Sequence, residues 1–225
     1  MSGGNLPRAR ASNLSMKRLV RPFLTLLVLA AMAAPSFAEL KEWRVDGAHS
    51  YVGFKVRHMM VSWVRGQFAA VTGTVAHDPD DLSKTKISIE IDANSINTAN
   101  ERRDKHLRSA DFFDVEKFPK ISFVSKKVAG NAQSGLKLIG DLTMHGVTKE
   151  VALDIEGPAP AVADGRGGEK SGVTASGKIN RSEFGLTWNR ALEAGGVTVS
   201  DEVILEIETE LARGGEGAAR KSGSD

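Results

Sequence analysis

From Trp43 to Leu211 the apolar residues of this chain fall mostly on alternate positions, the spacing of strands that bury one face and wet the other. Near the C-terminus Val203, Leu205, Ile207 and Leu211 share one parity, interrupted by Thr209, while Glu202, Glu206, Glu208 and Glu210 share the other, interrupted by Ile204. A helix would align Val203, Ile207 and Leu211 but expose Leu205, so the pattern predicts a strand. The same reading predicts strands over Tyr51 to His58, with Val52, Phe54 and Val56 on one face, and from about Gly66 to Ala76. Further strands run through Ile87, Ile89 and Ile91; around Ile121 and Phe123; and through Leu136, Leu138, Leu142 and Met144. Val151, Leu153 and Ile155 mark the next, joined to its predecessor by a Met144-His145-Gly146-Val147 hairpin, and Val173, Ala175, Gly177 and Ile179 precede the C-terminal strand. Eight consecutive amphipathic strands joined mostly by short turns predict an antiparallel barrel or a two-sheet sandwich.

Two stretches break the alternation. Residues 100 to 109 are charged and free of β-branched side chains, and Asn100 stands as an N-cap before Glu101, which predicts one short helix. Gly157 to Gly172 contains Pro158, Pro160 and further glycines, which predicts a long loop. Beyond Gly214 the chain is polar and aperiodic, the composition of a disordered tail.

The first 38 residues read as an address label. They hold Arg8, Arg10, Lys17, Arg18 and Arg21, then an apolar run from Phe23 to Ala34, then Pro35 and the small-x-small ending Ser36-Phe37-Ala38. A 12-residue apolar run is too short to cross about 30 Å of hydrocarbon, so cleavage after Ala38 is expected, with no stable membrane insertion of the remaining chain. Met16 opens Met-Lys-Arg and is a second candidate start. The expected organisation is therefore 1–38 as a cleaved signal peptide, 39–213 as the binding domain and 214–225 as the tail. Removing the label also removes the basic excess: 25 basic and 28 acidic residues remain, a net −3, so the pI near 8.8 gives no support to nucleic-acid binding. A basic signal on a chain without cysteine fits a bacterial periplasm.

The absence of cysteine also excludes thiol catalysis, disulfide scaffolds and Cys-ligated metals. Histidines at 49, 58, 77, 106 and 145 show no metal-ligand spacing, and Asp78-Pro79-Asp80-Asp81 lacks the glycine and closing glutamate of an EF-hand loop. No nucleophile elbow, P-loop or dinucleotide fingerprint is present. His106 with Asp104, or His49, supplies the best acid-base candidates, although Asp104 and His106 stand at i and i+2 and point to different faces of a helix. The parity-inward residues mix bulky Phe, Ile and Leu with Ala175, Gly177 and Gly140, which predicts an apolar interior space.

A run of motifs in order resembles the YceI-like, polyisoprenoid-binding periplasmic proteins. It comprises Asp46-Gly47-Ala48-His49-Ser50, Val52-Gly53-Phe54-Lys55-Val56, Gly66-Gln67-Phe68, Ser95-Ile96-Asn97-Thr98, Arg103-Asp104-Lys105-His106-Leu107 and Asp111-Phe112-Phe113-Asp114. Phe118-Pro119-Lys120-Ile121-Ser122-Phe123, Gly140 to Lys149, Asn180 to Gly185 and Val199 to Val203 continue it. The resemblance implies an all-β fold: an eight-stranded antiparallel lipocalin-like barrel with one short helix and an apolar interior channel. It further implies a non-enzymatic carrier that sequesters an isoprenoid lipid, with a polyprenyl or quinone tail, and brings no catalytic residue, metal or cofactor. Strand parity, with the aromatic pair of the rim, assigns the channel to Val52, Phe54, Val56, Phe68, Ile89, Ile91, Phe112, Phe113, Phe123, Leu142, Leu153, Ile155, Leu205 and Ile207. The segment from Arg103 to Phe113 is expected as its lid or rim. The alternatives are an enzyme using His106, Asp104 or His49 inside the same barrel, and a filled barrel serving as an interaction module. A homodimer is compatible with an exposed strand edge or channel mouth, but no residue pattern specifies it.

Overall fold

The computed structural model describes residues 40–215 apart from 79–80, 132–133 and 194, together with Met1. The expected signal segment and the tail beyond 215 lie outside the described residues. Alternation becomes strand wherever it was expected, and the strands are longer than their apolar centres. The chain runs through β1 (Lys41–Val45), β2 (Tyr51–His58), β3 (Ser62–Phe68), β4 (Val71–Asp78), β5 (Asp81–Asp92) and β6 (Ile96–Asn97) before helix α1 (Glu101–Arg108). There follow β7 (Lys120–Asn131), β8 (Gly135–Met144), β9 (Val147–Glu156), β10 (Val162–Ala163), β11 (Gly168–Asn180) and β12 (Val199–Gly214).

The first six strands work in pairs. β1 and β2 follow one another along the same edge of β12, with Val45 opposite Leu211 and then Tyr51 opposite Glu208. The break between them is a single turn at Gly47–His49, held by Asp46 accepting from the Ala48 amide. β3 pairs with β2 while β4 pairs with β1, and β6 pairs with β3 while β5 pairs with β4. Each pair is thus one bent strand, and with β7, β8, β9, β11 and β12 they make an eight-stranded antiparallel meander. It closes because β11 pairs with β9 on one side and, from Gly168 opposite Gly214 to Asn180 opposite Glu202, with β12 on the other. That ladder rules out the two-sheet sandwich.

Local chemistry explains the turns. The two-residue hairpin between β8 and β9 places His145 at φ 52° and Gly146 at φ 76°, the pair of left-handed residues that suits the twist of a tight hairpin. Asn100 caps α1 by accepting from the Arg103 amide at 3.0 Å, as expected. The long loop expected over 157–172 is corrected: β10 and the start of β11 pair there, Val162 opposite Lys170. Asp164 turns the chain by accepting from the amides of Arg166 and Gly168, and Gly165 and Gly167 take the left-handed backbone the turn requires. β1 is an addition, five residues around the single buried Trp43 that the alternation does not mark as a strand of their own.

The main core joins Phe68, Val71, Ile91, Ile96, Phe123, Leu138, Leu142, Leu153, Ile179, Phe184 and Val203, and a second cluster of Trp43, Val75 and Leu211 seals one end. Burying each such side chain contributes about 1.5–3 kcal/mol. All buried hydrophobic residues among those described lie between Trp43 and Leu211, and Ala38–Asp225 forms a unit with its own closed ladder and core.

Candidate functional site

Closing eight strands leaves an interior that side chains must fill or a ligand must share. Here it is shared. A mouth chamber of about 290 Å³ and a deep chamber of about 180 Å³ lie along the barrel, both lined in part by Phe54, Phe68, Met144, Ile179 and Leu205. Val56, Phe112 and Phe113 line the mouth chamber, while Val52, Ile89, Ile91, Phe123, Leu142, Leu153, Ile155 and Ile207 line the deep one. With Phe54, Phe68 and Leu205, every residue assigned from strand parity and the rim therefore faces this space. Gly140 lets the Phe123 ring lie across β8: a Cβ there would stand 2.5 Å from that ring.

The deep chamber is lined by apolar side chains with Gly53 and Thr209, and by no ionisable group among the described residues. Beyond it lies a small cavity of about 30 Å³, reached past Val75, Ile87, Ile155, Val173 and Leu211 and bordered by His77 and Thr85. His77 is buried, stacks on Trp43 with ring centroids 6.1 Å apart, and neither ring nitrogen has a hydrogen-bond partner among the described residues. Burial foremost, with Lys41 and Arg213 adding to it, pulls its pKa below the usual imidazole value.

At the mouth, α1 and the residues after it form a rim tied down by charged side chains. Arg108 donates to the carbonyls of Asn94 and Ile96, and Arg103 donates to the hydroxyl and carbonyl of Thr98. Asp104 is buried and accepts from the Thr98 amide and hydroxyl. The chain then inserts Phe112 and Phe113: Phe113 meets Phe68 edge-on at 5.6 Å, and Phe112 packs on Trp188 at 5.2 Å. Across the mouth, buried Arg181 donates to the carbonyls of Leu186, Trp188, Val199 and Ser200 and pairs with Asp201 at 3.0 Å, holding the β11–β12 connection in place.

The acid-base candidates separate. Asp104 is committed to Thr98 and does not line the cavity, and His49 stands at the opposite end of the barrel, exposed, bonded to Asp46 at 3.1 Å. Both assignments are therefore corrected: the short helix turns Asp104 under the rim, and β1–β2 carry His49 away from the interior. His106 does line the mouth chamber, but its carboxylate partner is Asp111, 2.8 Å away, which the helical spacing alone does not identify. Of the three tryptophans, Trp188 lines the chamber, Trp43 seals the far end and Trp63 lies under the Arg57 guanidinium, 4.2 Å from its ring centre.

Asp46, His49 and Glu210 bring three ligand atoms within 4.8 Å of one another. The Lys170 ammonium already sits among them, 2.6 Å from Asp46 and 2.9 Å from Glu210. Its hydrogen bond holds the Asp46 carboxyl below the ordinary value, at about 2. The cluster is an ion-pair latch between β11, β12 and the turn after β1.

Fold and interior together define a small closed antiparallel barrel enclosing an apolar cavity whose mouth carries a few polar side chains, among them Arg103, His106 and Arg181, an architecture found in barrels that hold one small ligand. A YceI-like domain model matches residues 43–211. The chain belongs to the YceI-like family. It is similar to UPF0312 proteins of Staphylococcus aureus, for example the one from strain USA300, at 40% identity over 167 residues, 74% of this chain and 95% of that one. Among solved structures it is similar to a Campylobacter jejuni YCEI protein, at 35% identity and TM-score 0.60, covering 75% of this chain and 96% of that one. BcnA of Burkholderia cenocepacia shares the fold at 22% identity and TM-score 0.63, covering 74% and 98%. A polyisoprenoid binding domain from Saccharophagus degradans shares it at 14% identity and TM-score 0.54, covering 78% and 100%.

Proposed function

We propose that this protein is a non-enzymatic binding protein that takes the isoprenoid tail of a polyprenyl or quinone lipid into the two-chambered channel, acting in the periplasm once residues 1–38 are removed. The observation that carries the proposal is the deep chamber, whose lining offers apolar contact and no ionisable group. Such walls reward a greasy chain and offer nothing to a sugar or nucleotide. The shared fold with a domain described as polyisoprenoid-binding supports the same ligand class. At about 30 Å³ per water-sized group, the two chambers as they stand hold a tail of roughly fifteen carbons, three isoprene units, and a longer tail extends through the mouth. Native mass spectrometry of the exported protein, purified without detergent, is expected to show one bound lipid whose extract contains a prenyl chain. An empty protein that also ignores added prenyl alcohols and quinones overturns the proposal.

A second reading rests on His106 and Asp111. A histidine oriented by a carboxylate at 2.8 Å and facing a ligand chamber is half of a general acid-base machine. It predicts chemical change in a bound lipid at the mouth. Incubating prenyl esters or phosphates with the protein and with His106→Ala, then comparing the lipids by mass, decides it: identical, unchanged lipid in both samples refutes catalysis.

A further inference from the structure

The turn between β2 and β3 is Met59-Met60-Val61, and these side chains are 45%, 57% and 79% exposed. Met59 and Met60 both hold left-handed backbone, φ 49° and 61°, where local physics favours glycine or asparagine. Three consecutive exposed apolar residues on a strained turn run against both turn chemistry and solubility, the kind of local conflict that functional surfaces carry. The turn is not isolated. The Met59 amide donates to the Thr198 carbonyl at 2.8 Å, which sets it beside the β11–β12 connection, where Val197 is also exposed. Of the exposed large hydrophobics among the described residues, Met59, Met60 and Val61 are consecutive and Val197 precedes the Thr198 that Met59 bonds; Val124 and Val162 lie on other strands and Met1 at the start of the chain.

Two features say what covers this patch. First, it borders the cavity: His58 and Val64, on the strands flanking the turn, and Thr198 and Val199 beside it all line the mouth chamber. Second, its charged flank is basic. Arg57 lies over Trp63 and Arg190 over Trp188, and neither has a carboxylate partner among the described residues; the acids of the β11–β12 connection are Glu183, next to Arg181 and Ser182 at its start, and Glu193. An apolar tip with arginines and tryptophans behind it is the arrangement that settles into the interface of an anionic bilayer, the tip among acyl chains and the arginines at the phosphates. We infer that the Met59-Met60-Val61 turn, with Val197, docks the barrel mouth onto an anionic lipid bilayer, so that a lipid tail passes between membrane and channel without crossing water. The proposed ligand and this docking surface are tested separately.

The test is vesicle flotation of Ala38–Asp225, which carries its own core and closing ladder, with vesicles of equal parts phosphatidylglycerol and phosphatidylcholine. The protein is expected to float with them. Each apolar side chain fully transferred is worth on the order of tenfold in partition, so Met59→Ser/Met60→Ser/Val61→Ser is expected to weaken binding about a hundredfold or more. Arg57→Gln/Arg190→Gln is expected to weaken it on these vesicles and to change nothing on vesicles of phosphatidylcholine alone. Because the triple variant could alter the hairpin, the docking surface is also read directly: brominated lipid is expected to quench the fluorescence of Trp63, which does not line the chamber, and to do so equally in Trp188→Phe, whatever lipid native mass spectrometry finds inside. No flotation, no quenching, or equal flotation of a folded triple variant overturns the inference. So does a concentration-dependent dimer that the same substitutions abolish, since a second copy would then be the occupant. Failure of docking with a prenyl lipid still bound leaves the ligand proposal standing, and docking by a protein that holds no lipid leaves this one standing alone.

Discussion

Filling the deep chamber from within should exclude the ligand tail while sparing the fold. Ala175 on β11 stands opposite Ile155 of β9 and Ile207 of β12, and all three side chains line the deep chamber, so a larger side chain at 175 grows into existing space. The chamber measures about 180 Å³, room for about six chain atoms at roughly 30 Å³ each. Ala175→Phe adds a ring of that size and Ala175→Leu about half as much. At about 0.3 kcal/mol per ligand heavy atom, losing six contacts weakens binding by about 2 kcal/mol, close to thirtyfold, and the leucine by about 1 kcal/mol, near fivefold. Titration of Ala38–Asp225 with geranylgeraniol, followed by calorimetry, reads the affinity, and a melting curve reads the fold. The expected signature is a graded loss of affinity with melting temperature unchanged or raised, since the ring gains contacts in space already there. A packed interior would give the reverse, a destabilisation of about 1–3 kcal/mol from overpacking. Equal affinity in all three proteins would refute the placement of the tail in this chamber.

Two further outcomes follow from buried charge. Arg181→Leu leaves four carbonyls and Asp201 without their donor and is expected to destabilise the barrel by roughly 3–5 kcal/mol in urea unfolding, with the rim at Trp188 loosened first; a change under about 1 kcal/mol would show the guanidinium dispensable. His77, whose folded pKa lies below that of the unfolded chain, contributes full stability above the usual imidazole value and loses it as pH falls from there towards the folded value, because the unfolded chain takes the proton first. Unfolding free energy should therefore fall as pH drops below about 6.5, with a slope of at most about 1.4 kcal/mol per unit from this group, and His77→Phe, which keeps a ring against Trp43, should flatten it. An unchanged pH profile in that variant would remove His77 from the account.

The alternation of apolar and polar residues determined much of this protein without any partner in view. Strand parity is a local property, so the inward side of Val52-Phe54-Val56 or Leu205-Ile207 could be read from two-residue spacing, and every residue so assigned borders the cavity. Turn chemistry was equally local: Asn100 as a cap and His145-Gly146 as a hairpin need only their own backbone. β1 was missed because five residues with the single buried Trp43 carry too little period to read. Closure was a tertiary decision, since an eight-strand meander is compatible with sandwich or barrel until β11 finds β12 along its whole length. So was the chemistry of the mouth. His106 meets Asp111 through a turn whose geometry no helical spacing encodes, Asp104 faces Thr98, and the Met59-Met60-Val61 turn comes beside Val197, more than a hundred residues away in sequence, because β2 and β12 share a ladder. Short-range spacing sets which face of each strand is buried, while contacts between distant segments depend on how the closed sheet brings its ends together.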